Sequence, residues 1–138
     1  MRHLAWLHAV PEKAKESRQK SIKATSEDSL LLVMPELGEA EYLVPLVMEA
    51  GLVEQSGTGI VALSWKEIES WQNVTGVKLH TWEATMLRQM SEAYASEFSQ
   101  ASDKNRPAPY SKAIELEEID REAVSNKLKN IFRSMKNN

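Results

Sequence analysis

The chain has 138 residues, a formal net charge of -3 and no cysteine. That length fits one domain that buries roughly two-thirds of its unfolded surface. It carries no disulfide, thiolate metal site or cysteine nucleophile, and the slight acidity gives no general drive toward nucleic acid.

No apolar run approaches the ~20 residues needed to cross a bilayer. Residues 2–10 read as a short helix or strand ending at Pro11, and their apolar run, broken by His3 and His8, makes a poor secretion signal. Residues 11–25 carry Lys13, Lys15, Arg18, Lys20 and Lys23 against Glu12 and Glu16, whereas the many acids of 26–99 face only Lys66, Lys78 and Arg88. A basic arm thus precedes an acidic body, and little between Glu12 and Asp28 is apolar enough to anchor a core. Residues 29–34 fit a strand or a short buried helix.

Helical spacing then recurs at about 37–50, through Leu37, Tyr42, Leu43, Leu46, Val47 and Ala50. Pro45 demands a kink or a start near Val44, and Gly51 suits a left-handed C-terminal cap. Residues 55–59 read as a loop. Ser64 and Glu67 form a capping-box pattern for a helix at about 65–73, ending near Gly76. Thr81 is a second cap, for a helix at about 82–100 on which Trp82, Met86, Met90 and Tyr94 recur at every fourth position. Residues 103–109 are a loop. Asp120 can cap a last helix at about 121–136, with Val124, Leu128, Ile131, Phe132 and Met135 on its apolar side. The expected fold is mostly α: residues 1–28 as N-terminal segment and basic arm, 29–110 as helical core domain, 111–138 as C-terminal helix.

No catalytic constellation emerges. His3 and His8, five residues apart, do not share a helix face, and His80 brings no further ligands by spacing. The glutamates at 67 and 69, or at 115, 117 and 118, read as solvated helix faces rather than as an acid–base pair in one pocket. Gly57-Thr58-Gly59 lacks the lysine of a phosphate loop, and no Gly-x-Ser-x-Gly elbow occurs. No catalytic, cofactor or metal residue is therefore assigned. Trp65, Ile68, Trp82, Leu87, Met90 and Tyr94 are expected to be largely buried in one cluster. Because tryptophan and methionine also serve at binding surfaces, Trp65, Trp71, Trp82, Met86, Met90 and Tyr94 are the candidate partner-binding residues.

One stretch carries a resemblance. A glycine-containing loop leads to Leu63-Ser64-Trp65-Lys66-Glu67-Ile68 and Trp71, followed by the Val74–Leu79 connector. Next come Thr81-Trp82-Glu83, a helix with Leu87, Met90-Ser91 and Ala93-Tyr94, and Pro107-Ala108-Pro109-Tyr110. With Tyr42-Leu43 and Met48-Glu49-Ala50-Gly51-Leu52 upstream, this order resembles the small tail assembly chaperones of long-tailed bacteriophages, over about residues 36–110. The resemblance implies a nonenzymatic protein of the bacterial host cytoplasm. Such a protein binds the tape-measure protein, keeps its long hydrophobic helices soluble and helps recruit tail-tube protein. It assigns neither catalytic residues nor particular partner contacts. Two other classes stay open: a structural virion component such as a minor tail or head–tail connector protein, and a small regulator that binds nucleic acid through 11–25 or 121–136. Each of the three readings is compatible with a homo-oligomer.

Overall fold

A computed structural model describes residues 1–57, 59–111, 125–127 and 129. Its elements in chain order are α1 (Arg2–His8), α2 (Arg18–Thr25), a 3₁₀ turn at Leu30–Leu32, a second at Gly38–Ala40, α3 (Leu43–Glu49), β1 (Val53–Ser56), β2 (Gly59–Ala62), α4 (Trp65–Thr75) and α5 (Thr81–Gln100). The fold is mostly α-helical, as expected, with one small antiparallel hairpin added. The expected helix at 121–136 lies largely outside the described residues. Within it Ser125, Asn126, Lys127 and Lys129 are helical and exposed.

Helix α5 is the spine against which α1, α3, α4 and the hairpin pack. At one end Val47, Leu63, Ile68 and Leu87 form a buried cluster, flanked by Leu46, Leu52, Leu79 and Met90. At the other end Trp6, Leu7, Ala9 and Ala101 form a second, flanked by Ile22, Leu31, Leu32, Phe98 and Ala108. Burial of each large apolar side chain contributes about 1.5–3 kcal/mol.

Local signals explain several boundaries. Pro45 sits in the first turn of α3, where its missing N–H costs no helical hydrogen bond, so the helix begins at Leu43 instead of near 37. The helix ends in a Schellman motif: Gly51 has φ 107°, its amide donates to the Met48 carbonyl, and the Leu52 amide donates to Val47. The Ser64 hydroxyl accepts from the Glu67 amide at 3.2 Å and starts α4. The Ser64 amide, however, donates to the Glu54 carboxylate at 2.6 Å, so a strand residue takes the place expected of Glu67. Gly76, at φ 76°, closes α4 as a left-handed cap.

Other expectations need correction. Residues 30–32 form a 3₁₀ turn, neither strand nor buried helix, because Ser29 caps a single turn and Pro35 stops the run soon after. The segment read as a loop at 55–59 belongs to a hairpin, with Val53 opposite Ala62 and Ser56 opposite Gly59. The cap of α5 is His80, one residue before Thr81; its amide donates to the Glu83 carboxylate at 2.7 Å. Residues 12–28 do contain an anchor, and it is a charged one. The buried Arg18 guanidinium donates to the carbonyls of Ala101 and Asp103 and lies 5.0 Å over the Trp6 ring. Apolar counting passes over such an anchor because arginine buries its stem and its ring-stacking face while its N–H groups find carbonyls.

The chain after α5 folds back. Arg106 forms a two-pronged ion pair with the buried Glu97 carboxylate, at 2.9 and 2.7 Å, and the Arg106 carbonyl accepts from the Trp6 indole at 2.9 Å. Residues 107–110 then return along α1, where Tyr110 meets the His3 ring edge-on.

Candidate functional site: an apolar groove beside the spine helix

An apolar groove of about 650 Å³ runs between α1, the 34–45 segment and α5. Met1, Arg2, His3 and Leu4 form one wall. Met34, Pro35, Leu37, Glu41, Val44 and Pro45 form the second. Met86, Gln89, Met90 and Ala93 of α5 lie between them, and Pro109 and Tyr110 also line it, Tyr110 beside His3. Past Met86 and Gln89 the surface continues as a shallow shelf over His80, Thr81, Trp82 and Thr85. Methionine side chains are unbranched and polarizable, so a surface carrying Met34, Met86 and Met90 can adapt to varied apolar shapes.

Two polar features hold the walls. The Tyr42 hydroxyl donates to the Glu83 carboxylate at 2.6 Å and ties the 38–42 segment to the first turn of α5. That bond, with the carboxylate beside it, pushes the Tyr42 phenol up to about 12 and holds Glu83 below the usual carboxylate range. On the α1 side, the buried His3 ring bonds through Nε2 to the Leu31 carbonyl at 2.8 Å, while its Nδ1 is sealed without a partner. Burial lowers the His3 imidazole below its ordinary value. Because a carbonyl only accepts, Nε2 carries the proton and the neutral ring has a bare Nδ1.

The six candidate residues do not share one surface. Trp82, Met86 and Met90 lie along the groove and its shelf, Met90 half-buried and also packed on the cluster around Leu87. Tyr94 is buried, as expected, but at the α1 side and not in the cluster around Leu87; its hydroxyl meets His8 Nδ1 at 2.8 Å and its ring stacks on Phe98. The every-fourth-residue stride explains the split: each step of four advances about 40° around an α-helix, so Tyr94 has turned about a third of the circumference away from Trp82. Trp65 stacks on Arg88 at 5.4 Å, on a different side of α5. Trp71 is half-buried, with its indole N–H sealed without an acceptor.

The single buried cluster expected of Trp65, Ile68, Trp82, Leu87, Met90 and Tyr94 is therefore corrected. Ile68 and Leu87 form it with Val47 and Leu63, whereas Trp65 is 52% and Trp82 55% exposed. Both tryptophans stand in the first turn of their helices. The residues missed by sequence reasoning are Met34, Leu37 and the α1 wall, which periodicity within one element cannot pair with α5.

Among the described residues, no group of three or more histidines, aspartates and glutamates is placed to hold a metal ion. No helix among them is long and apolar enough to cross a membrane. The chain matches no family model, no curated protein and no solved structure. Fold and site together define a mostly α-helical protein with an adaptable apolar groove.

Proposed function

We propose that this protein is a tail assembly chaperone of a long-tailed bacteriophage. It acts without catalysis, in the host cytoplasm, by binding the tape-measure protein and assisting assembly of the tail tube. The observation that carries the reading is the methionine-lined groove along α5. Its Leu37–Pro45 wall, α5 residues and Pro109–Tyr110 belong to the 36–110 stretch that resembles those chaperones, while Met34, Pro35 and the α1 wall lie before it. Its mechanism is reversible burial of an apolar helix face of the partner against Met34, Met86 and Met90, with Trp82 on the adjoining shelf. The acidic body keeps the complex soluble.

Co-expression with a tape-measure fragment tests this. The soluble yield of the fragment rises with the intact protein and falls back with Met86→Glu. The complex survives high salt, because apolar burial and not screened charge supplies most of its stability. Charge reversal at Lys13, Lys15 and Lys20 leaves binding unchanged when the groove is the interface. Failure to solubilise the fragment, together with stoichiometric recovery in purified particles by mass spectrometry, assigns the protein to the virion instead.

A further inference from the structure

The margins of the groove differ in charge. On the 34–45 side, Glu36, Glu39 and Glu41 are all exposed, and Glu41 itself lines the groove. The ion pairs among the described residues engage Glu16, Glu92 and Glu97, so these three carboxylates have no cationic partner there. The α5 floor between the walls is neutral at Gln89 and Ala93, and Arg2 stands on the opposite, α1 wall. Three carboxylates within six positions make this margin negative, and a cation placed beside them is attracted to it.

We infer that the groove selects an amphipathic helix whose apolar stripe is bordered, on the side facing residues 36–41, by lysine or arginine. The inference rests on the docking reading above and adds the chemistry of the partner. Apolar side chains of the stripe bury against the methionines. The flanking lysine or arginine stems lie over the groove edge and bring their charged ends to the glutamates, which an acidic flank cannot do. Apolar burial sets the strength of the complex, and the one-sided charge sets which helices enter and which way round they lie.

Two synthetic helical peptides with the same leucine–methionine stripe, one flanked by lysine and one by glutamate, serve as probes for the full-length protein. Fluorescence anisotropy at low salt gives about tenfold tighter binding of the lysine peptide, the combined effect of a few exposed ion pairs. Near 1 M salt, where the screening length is about 3 Å, the two affinities converge while binding persists. The triple variant Glu36→Gln, Glu39→Gln, Glu41→Gln, which disturbs no buried contact, loses the preference at low salt. Met86→Glu weakens both peptides and so places them in the groove. Equal affinities at low salt, or a preference untouched by the triple variant, overturn the charge inference while leaving groove docking in place. If neither peptide binds, docking itself fails. Self-association that the peptides dissolve would assign the groove to a second copy of the chain and likewise overturn the proposal.

Discussion

Ser91 holds Leu63 from inside the fold: its hydroxyl accepts the Leu63 amide at 2.8 Å. The same hydroxyl donates to the carbonyl of Leu52, so one fully buried oxygen ties both ends of the β-hairpin to α5. Ser91→Ala leaves a buried amide and a buried carbonyl without partners, which costs about 1–3 kcal/mol. Urea unfolding reads that loss, and amide exchange at Leu63 accelerates. An unchanged midpoint would mean the hairpin is held by its apolar contacts alone.

Arg18 anchors α2 through the carbonyls of Ala101 and Asp103. Arg18→Lys keeps the charge but loses the planar fork and its stacking on Trp6. The expected cost is about 1.5–3 kcal/mol, the range for hydrogen bonds to a charged group. Trp6 emission shifts to the red as its ring meets water. Equal stability of the lysine variant would show that charge alone suffices.

Two neighbouring positions on α5 separate stability from binding. Leu87 has no exposed surface, and Leu87→Ala costs about 2–5 kcal/mol. Met86, 41% exposed in the groove, changes stability by less than about 0.5 kcal/mol when replaced by alanine, yet weakens the partner complex. Thermal unfolding beside a binding titration checks both, and a large stability loss at Met86 would place it in the core.

Burial holds His3 and His8 below the ordinary imidazole value of 6.5. The folded chain therefore binds fewer protons than the unfolded chain as pH falls toward and below 6.5. The stability from the neutral rings is fully present above that value and is lost as pH drops through the folded values. At His3 the incoming proton lands on an Nδ1 that has no acceptor, near the Met1 amine. Urea midpoints should fall between about pH 7.5 and pH 5, a window above the carboxylate range. Identical midpoints would show that protonation is tolerated.

Tyr42 gives a second titration. Its phenol, raised to about 12 by the bond to Glu83, is favoured in the protonated form by folding, so stability declines as pH climbs from 10 through about 12. Ultraviolet titration should show late tyrosine ionisation, to which the buried Tyr94 also contributes, and Tyr42→Phe should lower its amplitude. The same variant removes the tie between the 38–42 segment and α5, while the packing of α3 on α5 remains.

Much of the helical layout was legible in the sequence because its signals are local. Ser64 before Trp65, Gly76 after α4 and Pro45 within α3 each restrict the backbone within a turn of themselves. The hairpin was not legible: Val53 and Ala62 pair across a glycine-containing turn, and two strands of four residues give too little alternation to separate from loop. The fate of the tryptophans was illegible for another reason. Spacing assigned Trp65 and Trp82 to the apolar sides of their helices, but which stretch of a side is covered depends on where α1 and the hairpin dock. The groove exists only because α1 and residues 34–45 flank the same helix, a long-range arrangement that no window of sequence encodes.

The hydrogen bond from Trp6 to the Arg106 carbonyl spans 100 positions of chain. At ordinary synthesis rates of about 5–20 residues per second, Trp6 waits about 5–20 s before its acceptor emerges. During that interval α1 has neither α5 nor the returning 107–110 segment to pack against. Because Met1, His3 and Leu4 form a wall of the groove and Tyr110 also lines it, the groove is complete only once residue 110 has been made and has packed. A chain shorter than 110 residues therefore has no finished groove, and on the docking proposal it has no surface with which to capture a partner.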